Sequence, residues 1–130
     1  MSLTDKHLTG KKILVVEDDD TLSGVYVEYL RAEGFEAKRV SSGEDALTMA
    51  LEFRPDLVLL DAMMPKVSGF DVLEILRKTP QTARVKIIML TALSQESDEQ
   101  KARELGVDDY LVKSRSVVAD VVERIRQHLK

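Results

Sequence analysis

The sequence predicts a doubly wound α/β fold, in which one parallel sheet of five strands is covered by five helices. Short apolar runs rich in β-branched residues recur along the 130 residues, and segments with helical spacing of apolar residues separate them. This alternation favours right-handed βαβ crossovers, and strands that are apolar on both faces need helices on each side. The length suits a single domain with one core.

Five segments have the composition of strands. Three are nearly continuous apolar runs, which is typical of strands buried on both faces, and two are shorter. The predicted strands cover residues 12–17, 37–40, 57–61, 86–90 and 110–112.

The segments between the strands change to the helical period. The first helix carries Leu22, Val25, Tyr26, Tyr29 and Leu30 on one stripe, and Gly34 is placed to end it in a left-handed conformation. The fourth helix of the chain is very polar, which fits either a solvated face or a weakly packed element that moves in a switch. The other four helices are predicted over residues 42–52, 70–78, 95–105 and 117–129.

Composition excludes several classes of protein. The chain has no cysteine, so disulfides and Cys-based zinc sites are excluded, and its net charge of -4 argues against direct nucleic-acid binding. It has no apolar run of about 20 residues and no signal peptide, so we expect a cytoplasmic protein outside the membrane. Residues 1–11 are predicted to be a loose N-terminal tail, and residues 12–130 the domain.

Polar side chains end four of the predicted strands. Glu17 ends the first strand and Asp18 follows it, Asp61 ends the third, Thr91 follows the fourth and Lys113 the fifth. Ligands of open parallel sheets collect at this edge. Adjacent carboxylates repel each other unless a cation neutralises them, and hard oxygen ligands suit Mg²⁺.

Each of these residues also has an ordinary structural explanation. Asp19 or Asp20 would cap the first helix, and Asp61 precedes a loop containing proline, where Asp is common. The combination is more informative than any single member. A carboxylate nucleophile for phosphoryl transfer needs a metal ion, a lysine and a hydroxyl group around it, and the sequence has residues for all four parts.

Four segments resemble the signature segments of the receiver domains of two-component response regulators. They are ILVVEDD at 13–19, DLVLLDAMMPKVSGFDVL at 56–73, IIMLTA at 87–92 and DDYLVKS at 108–114. The resemblance covers Lys12 to Leu129 and implies a flavodoxin-like (CheY-like) strand arrangement. It also implies that the chain is a phosphoacceptor switch, which catalyses only its own phosphorylation and dephosphorylation.

The resemblance further implies roles for individual residues. Asp61 would be the phosphoacceptor, with Mg²⁺, or Mn²⁺ as an alternative, bound directly by Asp18 and Asp61 and by the backbone carbonyl of Met63. Glu17 would assist through water. Among residues outside the metal site, Thr91 and Lys113 would bind phosphoryl oxygens, and Tyr110 would turn inward when Thr91 moves.

The implied partners are a sensor histidine kinase or phosphotransfer protein and a downstream effector protein or domain. The chain is either a stand-alone regulator or part of a longer one. Charges on the last helices fit either solvated surface or a phosphorylation-linked homodimer; they are Lys101, Asp108, Asp109, Asp120 and Arg124. Receivers usually carry proline after this lysine, whereas Ser114 follows Lys113, so we expect a rearranged or more mobile loop there.

Three other functions occur on similar α/β folds. A dinucleotide-binding or flavin-binding protein would need a Gly-rich or Ser/Thr-rich loop where this chain has acids. An aspartyl-nucleophile hydrolase resembles an Asp-x-Asp arrangement, but Met63 stands two residues after Asp61. A pseudo-receiver that acts by contact alone, without phosphorylation, stays open as the alternative. His7 and His128 have no ligand partners at useful spacing and are expected to be neutral.

Overall fold

The computed structural model describes residues 7–130 and has one sheet of five parallel strands, in the order β2-β1-β3-β4-β5. The strands are β1 Lys12–Val16, β2 Glu36–Val40, β3 Leu57–Leu60, β4 Lys86–Thr91 and β5 Asp109–Val112. The helices are α1 Asp20–Ala32, α2 Gly43–Phe53, α3 Gly69–Lys78, α4 Glu96–Glu104 and α5 Val118–Leu129. The predicted α/β fold is confirmed, and the strand order is that of flavodoxin-like proteins.

The sheet separates two apolar layers. On one face, alternate residues of the central strands, such as Leu14 and Val58, pack with α2, α3 and α4. On the other face, their neighbours, such as Ile13 and Leu57, pack with α1 and α5. Because side chains alternate along a strand, the continuous apolar runs supply both layers at once.

Helix ends follow the predicted chemistry. The side chain of Asp19 accepts a hydrogen bond from the Leu22 N–H and caps α1. Gly34 has a φ of +95° directly after α1, the left-handed conformation expected there. Ser68 and Asp71 form a reciprocal capping box at the start of α3, which fixes where the loop after β3 ends.

The prediction of a loose tail is wrong for its described part. Leu8 is 2% exposed and belongs to the apolar layer under α1 and α5. The Gly10 N–H donates to the Gly34 carbonyl at 2.8 Å, and the Lys11 N–H donates to the Leu8 carbonyl. A single leucine among polar residues has no periodicity, so its burial was not readable from the sequence. Residues 1–6 of the predicted tail lie outside the described residues.

Helix α4 is the least buried of the five. Ala102 is its one buried residue, while α5 buries Val121, Val122 and Ile125. Lys101 of α4 lies 4.4 Å from the ring centroid of Phe70 on α3. The helix therefore rests on the sheet through little apolar area, which is expected of an element that can move. No helix among residues 7–130 has the length and apolar character needed to cross a membrane.

Candidate functional site

Three carboxylates meet at the carboxyl edge of the sheet. β1 and β3 are neighbours with Val16 opposite Leu60, so the acids that follow these two strands come together. Oxygen atoms of Glu17, Asp18 and Asp61 all lie within 4.8 Å of one another. Glu17 and Asp61 are buried and Asp18 is exposed. The cluster offers hard oxygen ligands and one side open to solvent, which fits a divalent cation that retains water.

Lys113 lies within this cluster. Its Nζ is 2.6 Å from Glu17 Oε2 and 3.0 Å from Asp61 Oδ2. Burial lowers the pKa of Lys113, but the hydrogen bonds to the two carboxylates outweigh burial and raise it. The ammonium group is therefore held charged, facing two buried acids.

The pKa of Glu17 is raised, although its pairing with Lys113 alone would lower it. Burial raises its pKa, and the nearby charge of Asp61 raises it further, while hydrogen bonds from Lys113 and from the Asp19 N–H lower it. The pKa of Glu17 is therefore raised, because one lysine does not fully compensate two buried carboxylates. This is the electrostatic condition that a bound cation would relieve.

The loop after β3 holds the Asp61 carboxylate in one orientation. The Met63 N–H donates to Asp61 Oδ1 at 3.0 Å, while Oδ2 accepts from Lys113. The Gly69 N–H closes the loop on the Ala62 carbonyl, and a Cβ at Gly69 would lie 2.0 Å from the Asp61 carbonyl oxygen. Only glycine fits that approach, so Gly69 positions the loop. Met63, at the outer edge of this loop, is 53% exposed.

Thr91 and Tyr110 are linked through Leu93. Thr91 is fully buried at the end of β4, and its Oγ1 accepts from the Leu93 N–H at 3.3 Å. The Tyr110 hydroxyl donates to the Leu93 carbonyl at 2.8 Å, and the ring is 7% exposed. Tyr110 is thus turned inward, and burial raises its pKa to about 12. The predicted switch pair shares one backbone segment that leads directly into α4.

The segment after Lys113 is regular. It forms a short 3₁₀ helix over Lys113–Arg115, and residues 7–130 contain no cis peptide bond. The Ser116 hydroxyl donates to the Val112 carbonyl at 2.9 Å and closes this turn. Although Ser114 stands where receivers usually carry proline, Lys113 is directed at Glu17 and Asp61.

Sequence reasoning missed two features near the site. Tyr26, on α1, is 3% exposed and lines a cavity of about 10 Å³ together with Glu17 and Asp61. Burial raises its pKa to about 12. Its place on the apolar stripe of α1 predicted only core packing. Gly69 was likewise not singled out, because its spacing from Asp61 gives no signal without the loop geometry.

Several charged residues in and around α4, β5 and α5 have partners within the chain. Asp108 pairs with Arg77 at 2.8 Å, and the buried Asp109 accepts from Arg124 and contacts His128 Nε2 at 2.9 Å. His128 therefore has a partner on β5 that its spacing did not reveal, whereas His7 is exposed. Lys101 lies over the ring of Phe70 in the same chain. A phosphorylation-linked homodimer that uses these charges stays a prediction.

Comparisons with known proteins identify the family. The family model described as the response regulator receiver domain matches residues 13–126. The chain belongs to this family, and its function is that of a receiver in two-component signalling.

Individual relatives agree with this assignment. The chain is 41% identical over 119 residues to the phosphate regulon transcriptional regulatory protein PhoB of Rhizobium meliloti, covering 92% of this chain and 52% of that protein. It therefore spans about half the length of this curated relative. The BeF3-activated N-terminal receiver domain of Klebsiella pneumoniae RstA superposes with a TM-score of 0.85 at 30% identity, covering 92% and 99% of the two chains. The chemotaxis protein CheY4 of Vibrio cholerae gives a TM-score of 0.85 at 24% identity over 92% and 98%, a likeness of fold alone.

Proposed function

We propose that Asp61 accepts a phosphoryl group from a sensor histidine kinase or a phosphotransfer protein, in a reaction that depends on Mg²⁺. One observation carries this proposal: Asp61 Oδ2 lies 3.0 Å from Lys113 Nζ within a cluster that includes Glu17 and Asp18. The ammonium group can receive the negative charge that arrives with a phosphoryl group, and the further acids can hold the cation that this charge also requires.

The transfer needs a nucleophilic oxygen with a lone pair that can attack phosphorus. An Asp61 carboxylate oxygen would attack the phosphorus atom, the bond from phosphorus to the donor nitrogen would break, and the nitrogen would leave with its electron pair. The Met63 N–H, which already donates to Oδ1, would hold the carboxylate in place during attack. Lys113 and the Thr91 hydroxyl would receive the transferred phosphoryl oxygens.

Glu17, Asp18 and Asp61 fit a divalent cation by the chemistry of their oxygens and by their separation. Asp18 and Asp61 would hold the ion directly, with the Met63 carbonyl as a further ligand and Glu17 acting through water. When bound, Mg²⁺, or Mn²⁺ in its place, would neutralise charge on the phosphoryl oxygens.

The switch would run from the site into α4. When Thr91 turns its hydroxyl toward the new phosphoryl oxygens, the Oγ1 atom that accepts from the Leu93 N–H would move, and the Leu93 carbonyl also holds Tyr110. The effector that senses this change is proposed to be a protein or a further domain, because the relatives that match are about twice as long. A location in the cytoplasm is part of the same proposal.

The proposal is tested by intact mass after incubation with acetyl phosphate and Mg²⁺. Wild type should gain one phosphoryl group, and Asp61→Asn and Asp61→Ala should gain none. Asp20→Asn is a matched control, since Asp20 is an exposed acid close in sequence to the cluster. Label on Asp61→Asn at the level of wild type would show that another residue is the acceptor. No label on wild type would instead favour the pseudo-receiver, which acts by contact alone.

A further inference from the structure

The first residue of α2 packs directly against the phosphoacceptor loop, residues 61–68. A Cβ placed on Gly43 would lie 2.7 Å from the Val67 carbonyl oxygen and 2.8 Å from Val67 Cβ and Cγ1. These distances are shorter than real Cβ contacts, and two of the three atoms cannot be moved by a side-chain rotation. The absence of a side chain at Gly43 is therefore what allows the loop to lie where it does.

Of the two segments that meet at this contact, the loop is held less firmly in place than helix α2. Helix α2 is fixed by three buried residues, Ala46, Ala50 and Phe53. The loop is exposed at Pro65 and Lys66, and Lys66 has a φ of +68°, a conformation that costs a non-glycine residue energy. If the two were pushed apart, the loop would move.

Movement of the loop would reach the site. The loop is short and is closed at its far end, where the Gly69 N–H bonds the Ala62 carbonyl and Gly69 lies against the Asp61 carbonyl. A displacement at Val67 therefore cannot be absorbed by α3 without strain. It would pass to Met63, whose N–H orients Asp61 Oδ1.

We propose that Gly43 is a positioning residue for the phosphoacceptor site, acting through its contact with Val67. This inference rests on the proposed function of Asp61. It makes the N-terminus of α2 part of the machinery that sets the loop, although none of its residues touches the reacting atoms.

Gly43→Ala tests the proposal, with Gly24→Ala as a matched control. Gly24 lies inside α1, and a Cβ there would meet nothing within 4 Å. Gly43→Ala should lower Mg²⁺ affinity and the rate of labelling by acetyl phosphate about 10-fold to 100-fold, the usual effect of disturbing residues that orient ligands. In the metal-free protein the backbone amide resonances of Met63 and Val67 should shift. Gly24→Ala should change none of these.

The outcomes separate the two hypotheses. If wild type and Gly24→Ala fail to bind Mg²⁺ and to take label, the proposed function is wrong, whereas the amide shifts still test the contact. If wild type is labelled and Gly43→Ala matches it in Mg²⁺ affinity and rate, the positioning role is wrong.

A second pair of variants keeps the test decisive if Gly43→Ala does not fold. Val67→Gly removes two of the three atoms that a Cβ at Gly43 would meet. The third atom, the Val67 carbonyl oxygen, stays 2.7 Å away, but glycine at this position lets the loop backbone shift. Gly43→Ala combined with Val67→Gly should therefore fold and recover part of the Mg²⁺ affinity that Gly43→Ala loses. A double variant that does not fold, or that binds Mg²⁺ no better than Gly43→Ala, overturns the proposal.

Discussion

The Tyr110 hydroxyl donates to the carbonyl of Leu93, whose own N–H donates to Thr91 Oγ1. One residue thus connects the hydroxyl at the end of β4 with the aromatic ring on β5. Because Leu93 begins the connection to α4, a change at Thr91 passes through Leu93 into the segment that leads to the least buried helix of the fold, which begins at Glu96.

Tyr110→Phe should lower the free energy of unfolding by about 1 kcal/mol, because it removes this hydrogen bond and leaves the Leu93 carbonyl without its partner. Hydrogen exchange at residues 93–98 should become faster. Urea unfolding and exchange measured by mass spectrometry would show both effects. Tyr29→Phe is the control, since Tyr29 is an exposed tyrosine on α1. Equal exchange in Tyr110→Phe and wild type would mean that the bond does not hold the start of α4.

Asp18→Ala should lose Mg²⁺ binding, while the metal-free protein becomes no less stable. Removing one of three clustered acids deletes a ligand and relieves repulsion together. The measurements are a Mg²⁺ titration and urea unfolding in chelator, with Asp20→Ala as a control outside the cluster. An unchanged Mg²⁺ titration in Asp18→Ala would contradict the assignment of the ligands.

Glu17 should give stability and metal affinity opposite dependences on pH. Its pKa is raised from 4.5, so its contribution to stability is present below pH 4.5 and is lost as pH rises through the folded-state value. Mg²⁺ affinity should rise over that same interval, because the ion favours the ionised carboxylate. Mg²⁺ titrations at several pH values, on wild type and Glu17→Gln, would show how much of the pH dependence of Mg²⁺ affinity comes from Glu17. If Glu17→Gln shows the same pH dependence as wild type, another group is responsible.

The phosphorylated form should lose its phosphoryl group slowly. Hydrolysis needs a water in line with the bond that breaks, and the side chains two residues after Asp61 and Thr91 are Met63 and Leu93, which cannot hold a water well. Met63→Asn and Leu93→Glu should therefore speed decay, which is followed by mass after removal of the donor. If neither variant decays faster, backbone groups rather than side chains position the water.

The elements and the convergence of Glu17, Asp61 and Lys113 could be predicted because strand ends in a parallel sheet share one edge. This holds even for the pair Lys113 and Glu17, which are 96 residues apart. The burial of Asp109 could not be predicted. It depends on how α5 brings Arg124 and His128 over the start of β5, and a run of two acids gives no sign of that packing.

The contacts of Gly43 and Gly69 were also beyond sequence reasoning. A glycine can mark a turn, a left-handed residue or a close approach, and the sequence alone does not distinguish them. Neither residue has a positive φ, in contrast to Gly34, so both are explained by close approach of the backbone.

Leu8 has a practical consequence for anyone who cuts this domain from a longer chain. A fragment that starts at Lys12 would keep every strand and helix named above and still open a hole beneath α1 and α5. Burial of a leucine side chain contributes about 1.5–3 kcal/mol, a large share of what keeps a domain of this size folded. Cloning boundaries are best set upstream of Leu8, and affinity tags joined at that end need a spacer that leaves the leucine in place.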